Sequence, residues 1–306
     1  MMIEYKLERV SDNAYAFIQG NGDWFLSNAG FIVGKDFVVV IDSLTSEKPT
    51  KVFKEEMRKT VGDKPVKYLI NTHEHGDHIW TNHLFSATTI SHKNCRQTTI
   101  EGMKSGVNPY EHVFKEVDFT GWKYTPQDIT VESEMSLWVD KDRELKIIHP
   151  GFAHTRSDLF IYFPDEKVVF TGDLLFSPPC TPFALMGYLQ GYIKTLEDLA
   201  SLDADVYVPG HGGIVYDRKP LYEARDYLIF VRDEARKLMK RGIEDPVVAS
   251  KEVSLGKYDS WLSKERIIGN MARAYSELKG GLPASPLNDM ERIIMEMMKL
   301  RQGKTS

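Results

Sequence analysis

The chain has 306 residues, 42% of them hydrophobic, which is enough for a full core in one large domain or a domain with an appendage and excludes a disordered or fibrous chain. A formal net charge of -5 leaves no broad cationic surface for phosphate backbones, so the expected partner is a small-molecule substrate and not nucleic acid. The leading MMIEYKLERV mixes charged and apolar residues, unlike a signal peptide, and no stretch approaches about 18 uncharged apolar residues; a cytoplasmic protein without a membrane span is expected.

In chain order, AYAFIQG, NAGFIVG and FVVVID between residues 12 and 42 are β-branched and aromatic runs punctuated by Gly, Asn and Asp, the pattern of strands joined by tight turns. SEKPTKVFKEEMRK then has a helical period after an initiating Ser, and VKYLINT reads as a buried strand. A polar helix is expected over residues 92–103, whereas residues 105–130, rich in Gly, Pro and aromatics, give no assignable pattern. SLWVD with LKIIH, and DLFIYF with KVVFTGD across the Pro164-Asp165 turn, read as hairpins, and DVYVPG as a last strand. Strands with interspersed helices indicate a layered α/β domain. After Asp217 the apolar spacing becomes helical over residues 222–240, 260–279 and 287–301, with GGLPASP separating the last two. The expected division is therefore a catalytic domain over 1–217 and a helical extension over 218–306. Cys95 and Cys180 form no CxxC pair and are read as reduced thiols.

The chemistry concentrates where VKYLINT runs into His73-Glu74-His75-Gly76-Asp77-His78. A core has no use for three imidazoles and a carboxylate packed so densely, whereas a loop at the carboxyl end of a strand can aim their lone pairs at a shared point. His154 in GFAHTRSD, Asp173 in FTGDLLF and His211 in VPGHGG supply what a pair of metal ions would still need. Glycines beside Asp173 and His211 let the backbone approach a crowded site, and Asp173, with two oxygens, is the natural shared ligand. His83, His92, His112 and His149 stand alone in the sequence and are read as structural.

Taken in order, HxHxDH, a later His before Thr, TGD and PGHG resemble the metallo-β-lactamase superfamily over residues 12–216. The resemblance implies an αββα four-layer sandwich, with one metal on His73, His75 and His154, the second on Asp77, His78 and His211, and Asp173 between them. Asp42, closing FVVVID, matches an acid that orients ligands without touching metal. Class B β-lactamases carry a Cys ligand or lack the full Asp-bridged set, so Asp173 makes penicillin-type substrates a poor default.

The expected activity is hydrolysis by two divalent ions, which bring the pKa of water toward neutrality. Asp77 is the candidate proton donor, and Glu74 is read as pointing away. The substrates expected are small esters, lactones or phosphoesters, taken broadly. A thioesterase resembling glyoxalase II, a weak β-lactamase and a single-iron persulfide dioxygenase are the alternatives. Zinc is the favoured metal, although imidazole and carboxylate accept iron and manganese as well. Trp24 and Phe25 in the turn GNGDWFLSN, with Tyr188 and Tyr192, are the candidate pocket residues, and a homodimer is compatible with the sequence.

Overall fold

The structure, a computed structural model, describes residues 3–303. It divides into two compact units. The first takes the chain up to Pro150 with Ser157–Asp173 and Asp203–Asp217; the second takes Gly151–Arg156, Leu174–Leu202 and the chain from Arg218 onward.

In the first unit, seven strands form a sheet in chain order: β1 (Tyr5–Arg9), β2 (Ala14–Gln19), β3 (Ala29–Val33), β4 (Val38–Ile41), β5 (Val66–Ile70), β6 (Thr88–His92) and β7 (Ile129–Val131). Pairing is antiparallel from β1 to β4 and parallel from β4 to β7. Parallel neighbours require crossovers. These are α1 (Glu47–Val61), the single turn α2 (Gly76–Ile79) and α3 (Lys93–Ser105). A second sheet holds β8 (Glu134–Trp138), β9 (Glu144–Ile148), β10 (Phe160–Phe163), β11 (Val168–Phe176) and β12 (Val206–His211), in the order β12-β11-β10-β9-β8.

Period-two alternation explains the layering. Val39 and Ile41 of β4 join Ile70, Ile90, Ile147, Ile161, Phe163 and Phe170 in a core shared by the two sheets. Val38 and Val40 point the other way and pack with Phe53 and Met57 of α1. Strands covered on both faces read as unbroken apolar runs, as VVVI does. Each such side chain contributes about 1.5–3 kcal/mol through its burial. The parallel register aligns Ile41 with Ile70 and Ile70 with Ile90, so the chain leaves β4, β5 and β6 at one common edge. Residues 105–130, unassignable in sequence, are mostly turns ending in β7.

The second unit is helical, with α4 (Leu189–Ser201), α5 (Lys219–Lys240), α6 (Pro246–Lys251), α7 (Arg266–Leu278) and α8 (Met290–Arg301). Its centre is α7, buried from Arg266 to Tyr275 and packed against α4, α5, α6 and α8. The sequence pattern extends this helix back to Ser260, but a 3-10 turn at Gly256–Tyr258 and a left-handed Ser263, φ 55°, delay its start. The short α6, which the pattern misses, is capped by Asp245, whose carboxylate accepts from Val247 N at 2.8 Å. No helix among the described residues is long and apolar enough to cross a membrane. Cys95 and Cys180 are buried and form no disulfide.

His92 and His149, read as structural, are placed so. Their rings stack at 4.1 Å, His92 Nδ1 accepts from Asn94 N at 3.2 Å at the start of α3, and His149 Nδ1 donates to Asp158 O at 2.7 Å. Burial, aided by His149, pushes His92 down to about 4. Both folded and unfolded chains are neutral at this residue above pH 6.5; between there and pH 4 the unfolded chain gains a proton that folded His92 refuses, so stability falls with falling pH. His92→Asn keeps an acceptor for Asn94 N and removes the titration. Its denaturation midpoint should fall less steeply than the parent's between pH 6.5 and 4, and parallel profiles would exclude His92 as the source.

Candidate metal centre

The common edge of β4 and β5 places two segments side by side: Asp42 and the turn 71–78. Asp42 N donates to Ile70 O at 2.9 Å, continuing the ladder, and Asp42 then adopts φ 59°, a left-handed conformation that Asp tolerates better than most residues. This turns its carboxylate into the interior. Oδ1 accepts from Thr72 N at 2.7 Å, while Oδ2 accepts from Thr72 Oγ1 at 2.7 Å and from His78 Nδ1 at 2.8 Å. The Thr72 hydroxyl proton is thereby committed to Asp42, and its lone pair faces His73 Nδ1 at 3.1 Å. One carboxylate orients His78 directly and His73 through Thr72.

The turn itself is pinned through its carbonyls. Ser43 N donates to His78 O at 2.9 Å, Asn71 Nδ2 to the same oxygen at 3.0 Å, and Ser27 Oγ to Asp77 O at 2.7 Å. Asn71 is held in turn by Asn82 at 2.7 Å and Gln127 at 3.0 Å. At the other sheet, Asn28 donates to Pro209 O at 2.9 Å and Gly212 O at 2.8 Å, stapling the segment that carries His211. His211 Nδ1 donates to Gly22 O at 3.1 Å. Gly210 is needed for space, because a Cβ there would stand 1.9 Å from Asp173 Oδ1.

With their Nδ1 atoms donating, His73, His78 and His211 would offer Nε2 lone pairs in the neutral form that a metal ligand takes. These converge on carboxylate oxygens. His78 Nε2 lies 3.1 Å from Asp173 Oδ1, and His211 Nε2 and His73 Nε2 lie 3.5 and 3.8 Å from Asp173 Oδ2. Asp77 Oδ2 is 3.3 Å from His211 Nε2 and 3.8 Å from His78 Nε2. Donors around a tetrahedral ion with ligands at about 2.0–2.1 Å stand about 3.3 Å apart, so this spacing fits metal ligation. Buried carboxylates need positive charge beside them, from a bound ion or, without one, from protonated imidazoles. The electrostatics agree: burial opposes charge on Asp173, yet His211, His78 and His73 outweigh it and hold the carboxyl well below its usual range. Burial likewise opposes charge on His78, and Asp173, Asp42 and Asp77 raise it well above the ordinary histidine value. His75 is pressed down by its burial.

Within the first unit the donor atoms form two groups, His73 with His75 and Asp173, and Asp77 with His78 and His211, each within 4.8 Å. Asp173 has an oxygen toward members of both. Inside the second unit His154 is buried, its Nδ1 donates to Phe183 O at 2.6 Å, and the buried Tyr192 ring lies 6.1 Å from its own. Tyr188 is half-buried at the start of α4. Phe25 is buried, with its ring 4.9 Å from Phe114, 5.1 Å from Phe119 and 5.5 Å from Tyr110. Trp24 is half-buried against Phe114 at 5.2 Å.

Sequence reasoning missed Thr72, Ser27, Asn28 and Tyr110. Asn28 and Thr72 stand inside runs read as strands, and nothing in a strand pattern marks a polar residue as a staple. Tyr110 comes from the unassigned stretch; burial first, then Tyr124, Asp77 and Glu74, push its hydroxyl up.

A family model described as the metallo-beta-lactamase superfamily matches residues 22–211. The chain is 26% identical over 216 residues to a metallo-beta-lactamase type 2 of Elizabethkingia meningoseptica, covering 68% of this chain and 79% of that protein. It is 30% identical over 160 residues to a hydroxyacylglutathione hydrolase of Pelagibacter ubique (strain HTCC1062), covering 50% of this chain and 55% of that one. Among solved structures, the stereoselective inverting sec-alkylsulfatase Pisa1 from Pseudomonas sp. superposes with a TM-score of 0.71 at 19% identity, over 97% of this chain and 56% of the sulfatase. That likeness concerns the fold alone. With the family match covering well over half its length, and with clustered His and Asp donors suited to divalent metal, the chain belongs to the metallo-β-lactamase superfamily of hydrolases.

Proposed function

We propose that the chain is a hydrolase with two metal ions that cleaves small carboxylic esters, lactones or phosphoesters. The observation that carries this reading is Asp173, whose carboxylate lies 3.8 Å from His73 of one donor group and 3.1 and 3.5 Å from His78 and His211 of the other. In this reading His73, His75 and His154 hold one ion, Asp77, His78 and His211 the other, and Asp173 belongs to both. When bound, such a pair supplies Lewis acidity and a water activated near neutral pH.

The chain's own residues do the rest. Asp42, Thr72 and the carbonyl of Gly22 fix ring directions, so the donors need little rearrangement on loading. Asp77 turns Oδ2 toward His211 and His78, whose charge outweighs burial and keeps its carboxyl low, so Oδ1 would first take the proton released by the attacking water and then pass it to the leaving group. Trp24, only half-buried in its turn, is the pocket wall for apolar parts of the substrate. Zinc is the metal of this reading, because it favours the tetrahedral spacing of the donors; their types alone would admit iron or manganese. A second reading, thioester hydrolysis, draws on the similarity to the hydroxyacylglutathione hydrolase.

Metal analysis of the purified chain, followed by assay on ester, lactone, phosphodiester, thioester, alkyl sulfate and β-lactam substrates, separates these readings. Two zinc ions per chain with the highest kcat/KM on an oxygen ester, lactone or phosphodiester is the expected result. A thioester preference moves the assignment to the second reading, and a single iron with oxygen uptake contradicts both. His211→Ala should lower bound metal from about two per chain toward one and reduce turnover sharply, whereas an unchanged count removes His211 from the ligands. Asp77→Asn, compared at matched metal content, should slow alkyl esters more than nitrophenyl esters by about 10²–10⁴-fold, since only a poor leaving group needs the proton. Equal losses would leave Asp77 without a proton-transfer role.

A further inference from the structure

The second unit contains an arrangement that bears on His154. Arg266, Asn270 and Arg273 recur four and three residues apart, on one face of α7, and all three are almost completely buried. Burying two guanidinium groups and an amide is unfavourable unless they are hydrogen-bonded. Here they grip the main chain of residues 181–185, and Arg273 also reaches Ser285. Arg266 Nη1 donates to Thr181 O at 2.7 Å, and its guanidinium lies over the Phe176 and Phe183 rings at 4.8 and 5.7 Å. Asn270 Nδ2 donates to Pro182 O at 2.9 Å, and Asn270 Oδ1 accepts from Ala184 N at 2.8 Å. Arg273 donates to Leu185 O at 3.0 and 2.8 Å and to Ser285 O at 2.8 Å.

Within this ladder one carbonyl is reserved. Phe183 O accepts from His154 Nδ1 at 2.6 Å, and it shares a peptide group with Ala184 N, the donor to Asn270. A trans peptide is planar, with its N–H and C=O pointing in opposite directions. Fixing the N–H on Asn270 therefore fixes the direction of the carbonyl. Asn270 is itself held by the Tyr227 hydroxyl of α5 at 3.2 Å and by the buried body of α7.

We propose that Asn270 is a positioning residue for the metal centre: through the peptide between Phe183 and Ala184 it sets the tautomer and the direction of His154. The inference rests on the reading of His154 as a metal ligand. It gives the carboxyl-terminal helices a part in metal binding that a merely packed appendage would not have. Partners that orient a ligating histidine in this way typically change metal affinity by about 10–100-fold.

The test uses the full chain and chelator competition with cobalt(II), read together with the absorption spectrum of the cobalt-loaded protein. Asn270→Ser, too short to reach Ala184, should weaken one of the two bound ions by about 10–100-fold, leave the other within a few fold, and alter the cobalt spectrum. Asn270→Asp retains an oxygen acceptor for Ala184 N and should restore most of that affinity. Arg266→Met removes the bond to Thr181 O and the contact with the Phe183 ring but leaves the hydrogen bond from Ala184 N to Asn270 in place; it should lower the thermal midpoint and spare metal affinity. Equal affinity losses in Asn270→Ser and Arg266→Met, or none in either, would overturn the proposal in favour of a purely structural clamp. His154→Ala separates the two levels. If it leaves both cobalt affinities unchanged, the ligand reading of His154 fails and the positioning role with it; if it abolishes one site while Asn270→Ser changes nothing, only the positioning role fails. If Asn270→Ser does not fold, Asn270→Asp against Asn270→Ala supplies the same comparison, and equal cobalt affinities in that pair would overturn the proposal.

Discussion

The buried carboxylate of Asp42 is the contact on which the geometry of the centre depends. Parallel pairing of β4 with β5 delivers Asp42 and Thr72 to one edge, and the left-handed turn at Asp42 aims both oxygens inward. Those oxygens accept from Thr72 N, Thr72 Oγ1 and His78 Nδ1. The arrangement works only with Asp42 as acceptor, and burial by itself pushes its carboxyl up. Charge on His78 and the donors from Thr72 oppose that effect without cancelling it, and the carboxyl stays raised. A sheet edge, one carboxylate and one threonine thus fix the directions of two imidazoles. Asp173 and His211 reach the same place from the second sheet, where glycines allow close approach.

Much of this is legible in the sequence because it is local. The six residues from His73 to His78 announce themselves by density, and Asp173 and His211 by the glycines beside them. The apolar runs that became β2 to β5 and β8 to β12 are equally plain, since strands buried on one or both faces leave short-range patterns. What escapes is whatever depends on distant partners. Residues 105–130 carry no period, yet Phe114 and Phe119 meet Phe25 from there. Asn28 reads as one more strand residue, although it staples the segment around His211.

The same limit applies most clearly to α7. An arginine on an amphipathic helix ordinarily stands on the charged outer face. In the structure Arg266 and Arg273 are buried, because carbonyls of residues 181, 185 and 285 come to meet them. Only the tertiary structure reveals that a polar face is an inner one. The fold likeness to the sec-alkylsulfatase runs over 97% of the chain and so takes in residues beyond the 22–211 family match. Helices of this kind are therefore not peculiar to this chain, and their polar contacts merit the same attention as the metal motif.

The central claim is that Asp173 belongs to two ions at once. X-ray absorption on the metal-loaded chain tests it most directly. A shared carboxylate and two complete donor groups predict a metal–metal vector at about 3.5–4 Å, alongside nitrogen and oxygen scatterers at about 2.0–2.2 Å. A fully loaded protein whose spectrum shows the light scatterers but no metal–metal vector would contradict the account.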